Sequence, residues 1–227
     1  FPTILLVLSA LITAIVLGVF FGVLASRKPN GVLSAAVAVF SSIGYAVPVF
    51  WTGIMLIILF ASVFPIFPVE GMMSVKLRDA NIFIRSLDVL HHLVLPAFTL
   101  SVIYLAQYAR LSRASMLEVL GSDYIRTARA KGASERTVLF KHALRNAALP
   151  ILTVAGLQFG SLISGALLVE TVFNWPGMGT LAFESILRRD YPTIMGVLLI
   201  ASGIVVVANL LTDMSYRIAD PRLRGKS

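Results

Sequence analysis

Asp123-Tyr-Ile-Arg-Thr-Ala-Arg-Ala-Lys-Gly-Ala133, running on to Lys141-His-Ala-Leu-Arg-Asn-Ala-Ala-Leu-Pro150, is a basic, hydrophilic island in a chain otherwise made of long apolar runs. The island is too polar for lipid, too rich in helix formers for a linker, and too rich in Arg and Lys for the outer side of a membrane. These residues predict a multi-pass membrane protein that holds a docking surface in the cytoplasm. Hydrophobic residues make up 58% of the chain and charged residues only 13%, which sets it apart from soluble domains. The net charge of +8 then reads as topology. No groove-reading element accompanies the charge, so nucleic acid is not expected as a partner. The absence of cysteine excludes disulfides, thiolate metal sites and Cys nucleophiles.

A helical span needs about 20 mainly apolar residues. Five stretches qualify: Thr3 to Ala25, Leu33 to Phe64, Leu93 to about Leu111, Leu149 to Val172, and Thr193 to about Leu211. The second is long, and Pro48 inside it should bend the helix, since proline removes a backbone donor and its ring clashes with the preceding turn. If alternate connecting segments face the cytoplasm, one side collects 14 of the 19 Lys and Arg residues. The positive-inside rule then places the N-terminus outside and the C-terminus inside. An outside start without a signal peptide implies a further span ahead of Phe1. With no internal repeat, the whole chain 1–227 reads as one all-α membrane domain, with the island forming a cytoplasmic loop over 112–148.

Within the island, Met116 to Lys131 is composed of helix formers, and Gly132 supplies a stop. A second helical stretch starts near Ser134-Glu-Arg-Thr137 and reaches Pro150. Two short helices joined at a glycine make an elbow, which could equally lie on anionic lipid headgroups.

The order of residues goes further. Tyr124-Ile-Arg-Thr-Ala-Arg-Ala-Lys-Gly132 with His142-Ala-Leu-Arg-Asn146 and Leu149-Pro150 resembles the cytoplasmic coupling loop of ABC importer permeases, in the form typical of the peptide and nickel subfamily. Glu170-Thr-Val-Phe-Asn-Trp-Pro-Gly-Met-Gly179, Arg189-Asp-Tyr-Pro192, Asn209-Leu210, Asp213, Tyr216 and Asp220-Pro-Arg222 follow in the order that subfamily has. The likeness covers essentially the whole chain and is nearest to the first of the two permeases in dipeptide and oligopeptide systems. One departure is the start of the loop, where Arg126-Thr-Ala-Arg-Ala130 stands in place of an acidic residue followed by two alanines.

The resemblance implies a type I importer permease fold, with six spans in the full chain. It implies cytoplasmic ABC ATPase subunits, a second homologous permease in a heterodimer, and an extracytoplasmic substrate-binding protein as partners in a bacterial or archaeal cytoplasmic membrane. The elbow would enter a groove on the ATPase. Ala128, Ala130 and Gly132 would allow close approach, Arg126, Arg129 and Lys131 would make polar contacts, and Tyr124, Thr127, His142, Arg145 and Asn146 belong to the same motif. No cofactor is expected on this chain, because ATP and Mg would bind the partner ATPase. The cargo implied is a di- or oligopeptide, with nickel complexes or glutathione-like peptides as alternatives.

Gln158, Ser161 and Gly165 share one face of the fourth span, which also carries Gly156-Leu-Gln-Phe-Gly160. Such a face either packs closely against a neighbouring helix or lines the pathway. Gly18-Val-Phe-Phe-Gly22 poses the same choice. Glu170, Trp175, Pro176, Gly177 and Gly179 predict a tight re-entrant or surface turn at the outer end of that span. Trp175 and Tyr191 either anchor the interface or belong to a loop that meets the binding protein or gates the exit. Asp213 is placed to pair with Arg217 one helical turn on.

Catalytic patterns are missing. His91-His92 lack the spacing of a helical zinc motif, and no Gly-x-Ser-x-Gly elbow occurs. The terminal Gly225-Lys-Ser227 lacks the first glycine and the preceding strand of a phosphate loop. A self-sufficient secondary transporter or channel would want ionisable groups at span centres, and an intramembrane enzyme a nucleophile or metal set there. Neither pattern occurs.

Overall fold

In the computed structural model, residues 1–219 are described. The backbone is a series of helices, with no strand among the described residues. They are α1 (Pro2–Ser26), α2 (Val32–Ala46), α3 (Val49–Ile57), α4 (Ile82–Leu120), α5 (Asp123–Ala130), α6 (Glu135–Thr137), α7 (Leu144–Val172), α8 (Met178–Arg188) and α9 (Tyr191–Ala219). The segment Ile58–Val63 extends α3 as a wider π turn, and Val138–Ala143 joins α6 to α7 in the same way. Among the described residues, four helical segments are long and apolar enough to cross a membrane: Pro2–Ser26, Ile82–Leu120, Glu135–Val172 and Tyr191–Leu210.

The second expected span differs. Pro48 does more than kink it: the run is broken into α2 and α3, with Pro48 in an extended conformation at the α3 start. Counted as one broken span, the pair brings the total to five. The side chains of Asp213 and Arg217, together with everything from Asp220 onward, lie outside the described residues.

The chain groups into two compact units, one of residues 1–11, 47–101 and 156 onward, the other of residues 12–46 and 102–155. In the second unit α1 lies directly on α4. A Cβ on Gly18 would sit 2.6 Å from Tyr108 Cβ, and one on Gly22 would sit 2.6 Å from the Ala109 carbonyl oxygen. The Gly18–Gly22 pair is therefore a helix-packing device. Gly22→Leu is expected to destabilise the fold by about 1–3 kcal/mol, because the neighbour is backbone and cannot step aside. A fall in the thermal unfolding midpoint in detergent checks this. On the other flank of α4, the Ser41 hydroxyl donates to the Ala106 carbonyl at 3.0 Å.

In the first unit, Gly53 brings α3 against Thr99, Val172 and Phe173. The long connection after α3 is pinned to α4 by Asp88, whose carboxylate accepts from the Ser74 amide at 2.6 Å and hydroxyl at 2.8 Å. His91 hydrogen-bonds the Ile66 carbonyl, and His92 the Asp88 carbonyl, so both histidines serve the fold. The turn expected around Trp175–Gly177 is present and leads into a further helix, α8. Arg189 ends it at φ 56°, and Asp190 then caps α9 by accepting from the Thr193 amide at 3.2 Å and hydroxyl at 2.6 Å. Those two bonds hold the Asp190 carboxyl below its usual range. A lowered folded-state pKa means the cap is intact at neutral pH and lost only as pH falls through that depressed value.

Candidate functional site

The elbow is built from the break between α4 and α5. Leucine-rich α4 ends at Leu120, the chain turns through Gly121 and Ser122, and α5 begins at Asp123, whose charge suits a helix N-terminus. A continuous helix from Met116 to Lys131 is thus corrected to two, separated where glycine and serine favour a turn over another helical residue. At its far end α5 stops at Lys131 and Gly132. The latter sits at φ +80° with open space where a Cβ would be. The Gly132 amide donates to the Arg129 carbonyl at 2.9 Å and the Ala133 amide to the Ala128 carbonyl at 3.2 Å, closing the helix end. The Ser134 hydroxyl caps the next turn by accepting from the Thr137 amide.

One side of the elbow is anchored. Ile125 is fully buried in a cluster with Val23, Met116, Val138, Leu139, Ala143 and Ala147, so one short helix touches α1, α4 and α7 at once. The Tyr124 hydroxyl accepts from Asn146 Nδ2 at 2.7 Å and donates to the His142 carbonyl at 3.4 Å. Arg129 meets Glu135 across the glycine, Nε to Oε1 at 2.8 Å and Nη2 to Oε2 at 3.3 Å. Glu135 escaped the sequence reading because it lies six residues from Arg129, a spacing no straight helix brings together.

The other side is open. Arg126, Thr127, Ala130, Lys131 and Gly132 are exposed, while Ala128 is half-buried. Arg126 has only a solvent-exposed contact with Asp123 at 3.5 Å, which contributes little in water. Arg145 is exposed next to Asn146. The motif residues thus divide into a set that shapes the elbow (Tyr124, Arg129, His142, Asn146) and a set that faces outward. Gly132→Val is expected to cost about 1–2 kcal/mol of elbow stability, because a side chain in left-handed backbone is strained even with room around it. Faster proteolysis within 121–134, with membrane insertion unchanged, checks it.

A second constellation lies at the other end of α7. Glu170 and Trp175 are both fully buried. The Glu170 carboxylate accepts from the Gly179 amide at 2.6 Å and the Thr180 amide at 3.3 Å, so it caps α8. At the same corner the Thr3 hydroxyl accepts from the Met178 amide at 2.8 Å. The Trp175 indole donates to the Pro2 carbonyl at 3.1 Å, and the Thr180 hydroxyl to the Trp175 carbonyl at 2.6 Å. A Cβ on Gly177 would fall on the Glu170 carboxylate, and one on Gly179 would stand 2.5 Å from Leu167 Cα. Trp175 is therefore the core of a knot, and not an aromatic at the membrane interface. Pro176 carries no amide donor and follows directly on that tryptophan.

The three residues on the α7 face differ in their surroundings. Gln158 is half-buried, Ser161 is exposed, and a Cβ on Gly165 would sit 3.1 Å from Leu100 on α4. Gly160 likewise meets Val205 of α9.

Repeated apolar spans with a basic helix-glycine-helix elbow on one unit define a multi-pass membrane protein of the transporter kind. Residues 5–225 match the family of binding-protein-dependent transport system inner membrane components, and the chain belongs to that family. It is 49% identical over 98% of its length to a probable peptide ABC transporter permease protein, y4tP, of Sinorhizobium fredii, covering 69% of that protein. It is 44% identical to the oligopeptide transport system permease protein AppB of Bacillus subtilis, over 97% of this chain and 68% of AppB. To the dipeptide transport system permease protein DppB of Escherichia coli it is 42% identical, over 96% of this chain and 69% of DppB. Its fold matches that of a chain in an inward-facing structure of the MetNI methionine ABC transporter, with a TM-score of 0.71 at 17% identity, over 96% of this chain and 93% of that one. The chain is a transmembrane permease component of an ATP-driven importer, in the type I permease fold.

Proposed function

We propose that this permease passes di- and oligopeptides across the cytoplasmic membrane by alternating access, driven by a separate ATPase that docks on the α5 elbow. The observation that carries the cargo is that relatives 42–49% identical over nearly the whole chain are named for peptide, oligopeptide and dipeptide transport. Nickel complexes and glutathione-like peptides are the alternative cargoes. The chain itself does no bond chemistry and needs no cofactor of its own, with ATP and Mg held by the partner. The elbow and the C-terminus face the cytoplasm, where the basic residues collect.

The mechanical logic follows from the anchored side of the elbow. Arg126, Thr127, Ala130, Lys131 and Gly132 offer the docking face, with Ala128 and Arg145 at its margin. Force applied there reaches α1, α4 and α7 through Ile125 and reaches α7 again through Tyr124 and Asn146. The Arg129–Glu135 pair keeps the two arms of the elbow together. ATPase closure would then move the three helices as a set. Gln158, Ser161 and Gly165 are the pathway candidates on α7. The knot of Glu170, Trp175, Pro176, Gly177 and Gly179 holds the outer loop at a fixed position for the binding protein or the exit gate. A second, homologous permease would complete the pathway.

The test is reconstitution of the full-length chain with its ATPase, its second permease and its binding protein. Peptide-loaded binding protein should raise ATP hydrolysis several-fold over unloaded protein. Equal hydrolysis with and without peptide would overturn the cargo, and peptide uptake without ATP would overturn the coupling.

A further inference from the structure

The elbow unit contains a cavity of about 790 Å³ that the transport reading does not use. It opens where α1 leaves its apolar span, and its wall runs from the α1–α2 turn to the end of α4 and the elbow. Its apolar lining runs from buried Leu139 through half-buried Leu120 to exposed Leu33, and Arg27 and Lys28 stand at its rim, both exposed. Arg129 also lines it, but its charge is matched by Glu135. Arg27 and Lys28 are exposed and have no ion-pair partner among the described residues, so the rim has two uncompensated positive charges.

The turn that holds them is fixed. The Arg27 amide donates to the Leu24 carbonyl at 3.3 Å, and the Gly31 amide to the Lys28 carbonyl at 2.9 Å. From α4, Arg113 reaches the Ser34 hydroxyl at 2.7 Å and the Pro29 carbonyl at 3.2 Å, pinning the turn from behind. Arg113 is therefore spent on the scaffold, and Arg27 and Lys28 are left for a ligand.

We propose that this cavity binds an anionic phospholipid, its phosphodiester between Arg27 and Lys28 and an acyl chain over Leu33, Leu120 and Leu139. Charge and shape agree on that occupant. A basic rim alone would attract any anion, but an apolar lining at the end of a membrane span suits a molecule with a phosphate at one end and hydrocarbon at the other. The volume falls in the range of about 300–1,000 Å³ usual for small-molecule sites. Lipid is also the one amphiphile that surrounds this level of the protein at all times.

The intact complex, reconstituted in nanodiscs of phosphatidylcholine and phosphatidylglycerol and then released into mild detergent, is weighed by native mass spectrometry for retained phosphatidylglycerol. Each basic residue near a membrane surface raises anionic-lipid binding about fivefold, so Arg27→Gln with Lys28→Gln should lower retention about 25-fold. Leu33→Trp, which adds bulk to the apolar lining and keeps both charges, should lower it as well. Arg136→Gln with Lys141→Gln, which removes two exposed charges outside the cavity, should leave it unchanged, and excess inorganic phosphate should not strip the lipid. The proposal is overturned if the wild type retains no phosphatidylglycerol, if Leu33→Trp retains as much as wild type, or if the distant pair loses as much as the rim pair. It is equally overturned if inorganic phosphate displaces the lipid, which would mark a free-anion site, or if the ATPase fills the cavity and excludes lipid.

Discussion

Ile125→Asp is expected to strip the ATPase from the complex while the spans remain inserted. Ile125 is fully buried where α5 meets α1, α4 and α7. Truncating such a side chain costs about 2–5 kcal/mol, and an unpaired carboxylate there costs more. An eight-residue helix has no stability of its own to fall back on, so α5 depends on that one apolar anchor. The Tyr124–Asn146 and Arg129–Glu135 bonds cannot compensate, since both lie at the solvent and each contributes on the order of 1 kcal/mol. Ile125→Val, which keeps most of the apolar contact, should behave nearly as wild type. Ala130→Trp is the complementary change: Ala130 is exposed, so docking should fail with the elbow intact. Co-purification of the ATPase, with proteolysis of 121–134 as the fold readout, separates the two. If Ile125→Asp keeps a full complement of ATPase, the elbow is not what holds it.

Gly177→Val is expected to be the most damaging single change at the other end of α7. The new Cβ would land on the Glu170 carboxylate, which is itself confined by the amides of Gly179 and Thr180. Either the carboxylate moves and the start of α8 loses its cap, or the chain between Trp175 and Met178 moves and breaks the bonds to Pro2 and Thr3. Each buried group left without a partner costs about 1–3 kcal/mol. Glu170→Ala should resemble Gly177→Val for the same reason. Glu170→Gln, which keeps the volume and one accepting oxygen, should lie between them and the wild type. Thermal unfolding in detergent ranks the series, and wild-type stability in Gly177→Val would refute the knot.

The spans were legible because twenty-residue apolar runs leave little choice to a backbone that must satisfy its own hydrogen bonds in lipid. Pro48 was legible as a distortion but not as a full break, since the local sequence says that a donor is missing and not how far the chain must turn. The α4–α5 boundary was hidden by good helix formers on both sides of Gly121 and Ser122. In the elbow, motif order identified the segment, but only coordinates separate Tyr124 and Asn146, which bond each other, from Ala130 and Lys131, which face outward. Trp175 stayed open between interface anchor and loop residue because its indole is held from far away in sequence, at Pro2, and no periodicity reports that. The glycines of α1 left packing and pathway open until Tyr108 and Ala109 were seen beneath them.

Coupling through the elbow is tested most directly by a photoreactive residue at Ala130 in the assembled, ATP-hydrolysing complex, with the same group at Leu198 on the exposed apolar face of α9 as the control. The account predicts an adduct with the ATPase from position 130 and none from position 198. A complex that hydrolyses ATP normally yet gives no ATPase adduct from position 130 would contradict it.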